Sequence, residues 1–182
     1  TEKLNKITIM PNNKNFKLYE DKFLLTKSSQ ESENFDAILF AYKNIETAII
    51  PNYIKVIKPF SFQKSKIHQI IFQENAELKS IGKYAFAESE IEEMIIPPNV
   101  TKICKRTFAK CKKLKHIEFL PDSKLQKICE KAFEQSSIKK ISIPASVEKI
   151  KKFAFFGSQL QQIDIPKNSN LQKIGECAFV NT

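Results

Sequence analysis

Four cysteines and two histidines are the residues in this chain best equipped for metal ligation, nucleophilic attack or proton transfer. Cys104, Cys111, Cys129 and Cys177 contain no C-x-x-C pair, so their spacing does not describe a zinc site. Cys104 and Cys129 fall in equivalent slots of a repeat described below, which brings their Cα atoms within reach of a disulfide. Parallel neighbours point their Cβ atoms the same way, and buried free thiols are the competing reading. His68 and His116 stand in different positions of their repeats, with no acidic or nucleophilic residue at a fixed spacing, so both read as solvated. Neither phosphate-binding glycine pattern, G-x-x-x-x-G-K-S/T or G-x-G-x-x-G, occurs. Asn99-Val100-Thr101 is a glycosylation sequon in a predicted exposed turn, open to a glycan in a secreted eukaryotic protein. Nothing converges on a reaction, no cofactor or metal is implied, and an enzyme is not expected.

What would position these residues is a repeat. The segment IEEMIIPPNVTKICKRTFAKCKK, from Ile91, has the same skeleton as those starting at Leu114, Ile138 and Leu160, and as those at Ile67 and Ile45 upstream. Six copies begin at 45, 67, 91, 114, 138 and 160, giving spacings of 22, 24, 23, 24 and 22. A fixed period in this range predicts a solenoid. Each copy opens with apolar residues alternating with variable ones, as a short strand would, and Pro51, Pro97, Pro144 and Pro166 stop it directly. An apolar pair three apart follows, such as Val100 and Ile103 or Leu125 and Ile128. A small residue and a phenylalanine close the copy, in what we expect to be one short helical turn. Between strand and apolar pair the spacing varies, four residues from Ile96 to Val100 but six from Phe119 to Leu125.

One copy cannot fold alone. Its half-dozen core side chains contribute roughly 1.5–3 kcal/mol each, whereas ordering some two dozen residues costs about 1–2 kcal/mol per residue. Stacking predicts parallel strands about 4.8 Å apart and a continuous spine of Phe62, Phe86, Phe108, Phe133, Phe155 and Phe179. Residues 45–182 therefore read as the six-copy array and residues 1–44 as a cap-like partial repeat. Within the latter, Leu4, Ile7, Ile9 and Pro11 supply the front half of a copy. FKLYEDKFLLTKSS and FDAILFAYK then suggest an inserted β-hairpin, with a helix over 33–43 as the competing reading. Thr1 and Thr182 both interrupt the pattern, which predicts a piece of a longer protein.

These motifs resemble the BspA-like leucine-rich-repeat family, whose copy runs L-x-x-I-x-I-P-x-x-V-x-x-I-G-x-x-A-F-x-x-C-x-x. Ile91, Met94, Ile96, Pro97, Val100, Ile103, Phe108 and Cys111 match it in the third copy, and the likeness covers 45–182 and, loosely, 1–11. Gly82 and Gly175 fill the glycine slot, whereas Lys58, Cys104, Cys129 and Lys151 fill it elsewhere. The resemblance implies an α/β repeat solenoid, a right-handed horseshoe with short parallel strands on its concave face. It also implies a surface-exposed or secreted adhesion-type protein that binds a host or matrix protein; a cytoplasmic repeat scaffold is the alternative.

If strands line that face, their variable positions point into it. The fifth position reads Ile49, Ile71, Ile95, Glu118, Ser142 and Asp164, and the third reads Thr47, Gln69, Glu93, His116, Lys140 and Gln162. The three isoleucines form either a partner-binding stripe or an ordinary strand surface, covered or not by residues 12–44. The net charge is +10, and 29 of the 30 basic residues are lysine, Arg106 being the exception. That composition fits a solubilising coat or a polyanion partner, an acidic glycan or a nucleic acid. No apolar run approaches the ~18 residues of a membrane span, so no membrane insertion is expected.

Overall fold

The computed structural model describes residue 4 and residues 6–182, so the other N-terminal residues of the partial repeat lie outside the described residues. The chain opens on β1 (Lys17–Tyr19), β2 (Phe23–Thr26) and β3 (Ala37–Ala41). Long and short strands then alternate: β4 (Thr47–Ile50), β5 (Val56–Ile57), β6 (Gln69–Phe72), β7 (Ser80–Ile81), β8 (Glu93–Ile96), β9 (Lys102–Ile103), β10 (His116–Phe119) and β11 (Lys127–Ile128). The last four are β12 (Lys140–Ser142), β13 (Lys149–Ile150), β14 (Gln162–Asp164) and β15 (Lys173–Ile174). Six rungs thus stack as a parallel β-solenoid. The long strands pair in the order β10-β8-β6-β4, with β12-β14 apart, and the short strands continue a sheet that begins β1-β2-β3.

The short strands were hidden in the sequence. Each covers two residues; in β5 to β13 one points out and one, Ile57, Ile81, Ile103, Ile128 or Ile150, is wholly buried, while Ile174 of the terminal β15 is exposed. β1 to β3 form an antiparallel meander, and β3 then pairs in parallel with β5, Ile38 opposite Ile57. Residues 37–41 are therefore strand rather than helix, and no strand forms over residues 6–10. The meander places Phe23 edge-on to Phe62, 6.0 Å between ring centres, at the head of the phenylalanine column.

That column runs the length of the array. Phe62, Phe86, Phe108, Phe133, Phe155 and Phe179 stack with successive centroids 4.9, 5.5, 5.3, 5.1 and 5.4 Å apart and planes within 16° of parallel. All but Phe179 are fully buried.

The expected helical turns around these phenylalanines are absent; no helix occurs among the described residues. Two positions in each rung have left-handed backbone instead. One holds Phe60, Tyr84, Arg106, Lys131, Phe153 and Cys177; four residues on, the other holds Lys64, Glu88, Lys110, Gln135, Gly157 and Asn181. A helix needs every residue right-handed and every amide bonded within its own segment. Here alternate amides do different work. Ala85, Ala87 and Ser89 close tight turns onto Gly82, Tyr84 and Phe86, whereas Tyr84, Phe86 and Glu88 donate to Lys105, Thr107 and Ala109 of the next rung, at 3.1, 2.9 and 2.9 Å. The same alternation recurs at all five junctions. Gly82 and Gly175 are needed for closeness rather than conformation. A Cβ on Gly82 would lie 2.5 Å from the backbone N of Pro59, and one on Gly175 2.3 Å from that of Lys152.

Asp36 joins the meander to the first rung. Buried at 2% exposure, it accepts hydrogen bonds from the Ser28 amide and hydroxyl at 2.7 and 2.9 Å, with Lys55 Nζ 3.5 Å away. Burial opposes its ionisation, but these hydrogen bonds outweigh it and hold its pKa below the ordinary 3.8.

Two outcomes follow. Phe108→Ala is expected to cost about 3–5 kcal/mol, as large core truncations do, measured by urea unfolding; an unchanged midpoint would remove the spine as the main support. Because the folded pKa of Asp36 is depressed, its contribution is present above the unfolded value and lost as pH falls through the folded one. The melting-temperature gap between wild type and Asp36→Asn is therefore expected at neutral pH and to close in acid; a gap that widens in acid contradicts the assignment.

Candidate functional site

The long-strand sheet exposes two rows of side chains, because a strand alternates its residues between faces. Ala48, Ile70, Met94, Ile117 and Ile141 point into the core. In the outward rows the register sets Thr47 opposite Gln69, Gln69 opposite Glu93, and Glu93 opposite His116; Lys140 pairs with Gln162. Ile49 lies opposite Ile71, and Ile95 opposite Glu118; continuing the β6–β8 register by one residue puts Ile71 beside Ile95. Ser142 lies opposite Asp164. All the strand residues singled out above therefore belong to two straight rows, interrupted where ladder pairing lapses between β10 and β12.

The rows differ along their length. Ile49, Ile71 and Ile95 are 51, 43 and 49% exposed, so the N-terminal meander does not cover them. Over the last two opens a groove of about 800 Å³. Its floor is Ile71 and Ile95; Gln69, Glu93, His116 and Glu118 flank it, and the turns at 73–77 and 97–99, with Leu120, form its wall. Beyond β10 the surface is polar and its charges are paired. Lys140 Nζ lies 3.1 Å from Asp164, which also accepts from Gln162 at 2.8 Å and Ser142 at 3.3 Å. The Gln162 and Lys140 hydrogen bonds hold the Asp164 carboxyl below its usual range. On the groove's rim Gln69 donates to Glu93 at 2.6 Å.

Both histidines have acidic company, which for His68 the linear spacing concealed. His68 Nε2 is 3.4 Å from Glu90, which also accepts from Lys113 at 2.6 Å, and His116 Nε2 is 3.8 Å from Glu118. Glu90 closes the copy that His68 opens, 22 residues on, so it is near in space only once the chain has completed a turn of the coil. Among the described residues no group of three His, Cys, Asp or Glu side chains could hold a metal ion.

Asn99 is half-buried rather than exposed, and its Oδ1 accepts a 2.8 Å hydrogen bond from Lys124. All four thiols are free. Cys104 and Cys129 directly follow the short strands β9 and β11 of neighbouring rungs, half-buried, and burial pushes both thiols up against the opposing pull of nearby lysines. Cys111 is wholly buried, donates to the Phe86 carbonyl at 3.0 Å, and is pushed up to about 12 by burial.

A surface feature that sequence reading missed is the stacked left-handed corner. Phe60 stacks on Tyr84 at 5.1 Å, and the Arg106 guanidinium sits 5.7 Å from the Tyr84 ring centre while pairing with Glu134 at 3.3 Å. The repeat period placed these residues in one slot, but only the backbone conformation shows that the slot faces outward.

Comparison with known proteins agrees with this architecture. A family model described as BspA type leucine rich repeat region matches residues 33–140 and 126–182, with six copies. No curated protein matches the sequence. Among solved structures, the pneumococcal vaccine antigen PcpA is 31% identical over 72% of this chain, with a TM-score of 0.68; the match spans 33% of that protein. A leucine-rich-repeat protein from Bacteroides ovatus is 20% identical over 75% of this chain and 46% of its own, with a TM-score of 0.43. A leucine rich cell surface protein from Faecalibacterium prausnitzii is 17% identical over 86% of this chain and 56% of its own, with a TM-score of 0.46. The chain thus spans about a third of the pneumococcal protein.

The burial pattern predicts thiol behaviour. With an uncharged alkylating reagent near pH 8, Cys104 and Cys129 are expected to label in the folded protein well before Cys111, whose thiolate is suppressed and screened from solvent. Peptide mass spectrometry reads the order; early labelling of Cys111 would contradict its placement.

Proposed function

Because the chain belongs to the BspA-type leucine-rich-repeat family, we propose that it is a non-enzymatic protein-interaction module that engages a protein partner through the outward face of its long strands. The observation that carries this is the row Ile49, Ile71 and Ile95, half-exposed and in register, of which Ile71 and Ile95 floor an 800 Å³ groove. Nothing in the fold requires isoleucine there, since Glu118, Ser142 and Asp164 occupy the same slot in later rungs. Completing the burial of each offers about half of the roughly 1.5–3 kcal/mol gained by a fully buried apolar side chain. The polar neighbours Gln69, Glu93, His116 and Glu118 supply orientation around that apolar floor, as a specific interface does with its rim. Lys140, Ser142, Gln162, Asp164 and Thr47 extend the two rows at either end.

Surface display is the setting we propose. The similar pneumococcal protein is a vaccine antigen, and a host or extracellular-matrix protein is the class of partner that such a position meets. No helix is long and apolar enough to cross a membrane among the described residues.

The test is a triple variant, Ile49→Thr, Ile71→Thr and Ile95→Thr, which keeps β-branched side chains while removing the apolar stripe. Each exposed change is expected to alter stability by no more than about 0.5 kcal/mol. Matrix and host-cell proteins retained by immobilised wild-type protein are expected to be lost with this variant and kept with Ser142→Thr on the same row. Equal retention by both variants would refute the site.

A further inference from the structure

Charge is distributed unequally between the two sheets. On the long-strand side it is paired across rungs: Lys113 with Glu90, Lys115 with Glu92, and Lys140 with Asp164. On the outward face of the short-strand sheet the register stacks Lys102, Lys127, Lys149 and Lys173 directly on one another. Like charges in directly opposed strand positions destabilise a sheet. Yet none of these four makes a salt bridge among the described residues, whereas the same slot in the earlier rungs holds Val56 and Ser80. Lys102, Lys149 and Lys173 of the column line a groove of about 630 Å³ to which Lys151 and Lys152 also contribute. Its two carboxylates are Glu130 and Glu176; Glu130 is engaged by Lys105 at 3.1 Å. The uncompensated column thus carries an electrostatic cost for which the fold offers no return.

We propose that this face binds a linear anionic polysaccharide, laid along the solenoid axis with its sulfates or carboxylates against the lysine column. Successive lysines rise by about 4.8 Å, close to the advance of one sugar ring along an extended chain, so repeating charge meets repeating charge. No aromatic ring lines the groove, and it contains no arginine. Single-stranded nucleic acid draws much of its affinity from base stacking on aromatic side chains, and bidentate phosphate recognition favours arginine; the face offers neither. This surface is separate from the isoleucine row, and the two readings stand or fall independently.

The experiment measures binding of a heparin octasaccharide near 0.15 M salt to three forms of the whole chain. These are wild type, the column variant (Lys102, Lys127, Lys149 and Lys173 all →Gln), and a control (Lys66, Lys112, Lys139 and Lys167 all →Gln) that removes the same net charge elsewhere. Glutamine keeps the first two methylenes of each lysine and removes its charge, and circular dichroism checks that all three are folded. The column variant is expected to bind about tenfold or more weakly and to show a shallower dependence on salt, while the control stays close to wild type. Equal losses in both variants would mean that net charge alone attracts the glycan, and would overturn the proposal. So would tighter binding of an oligothymidylate of equal charge, or of phosphatidylserine vesicles, than of the octasaccharide.

Discussion

Half of the backbone amides around each spine phenylalanine but the last donate to the neighbouring rung, and everything else in the molecule depends on that exchange. It ties Phe62 to Ala85, Phe86 to Thr107, Phe108 to Ala132, Phe133 to Ala154 and Phe155 to Ala178, at 2.8–2.9 Å. Residues such as Tyr84, Glu88 and Arg106 would not adopt left-handed backbone by preference, since each such residue costs on the order of 1–3 kcal/mol. They are held there by three inter-rung bonds at every junction and by the buried ring between them. The aromatic column is therefore both a product of the stacking and its reinforcement.

The same register that stacks the core also aligns the surface. Once Ile70 and Met94 are fixed inward, Ile71 and Ile95 have no choice but to face out in line, and the choice of residue at those slots becomes a choice of surface. In this chain the long-strand face changes from apolar to paired charge along its length, and the short-strand face changes from Val56 and Ser80 to a run of lysines. A solenoid of otherwise equivalent rungs thereby acquires polarity along its axis and a different chemistry on each side.

Much of this was legible in the sequence because the repeat period is its strongest signal. The phenylalanine spine, the long strands and the outward rows follow from six copies of one spacing. The short strands did not, because two residues are too few to show alternation, and Val100 to Ile103 reads equally well as part of a turn. The corners were misread as helical because small-Phe patterns with residues three and four apart suit a helix; only the neighbouring rung decides which way each amide turns. His68 and Glu90 were missed as a pair for a related reason, since spatial neighbours here stand a whole rung apart in the chain.

Alternating donors also restrict how such a gene can change. Between Lys58 and Ser65, or in any counterpart, one added residue would swap the amides that close the corner with those that hold the adjacent layer, so length there is locked. Slack exists outside the corner: between the long strand and the short one, where spacings of four and six residues coexist, and after the corner, where Phe108 stands six residues before the next copy and the other phenylalanines five. Recombination that adds or removes complete layers keeps every corner intact. The length of the array is in that sense quantised: evolution can vary how many binding slots it presents, and what fills each one, far more easily than the distance between them.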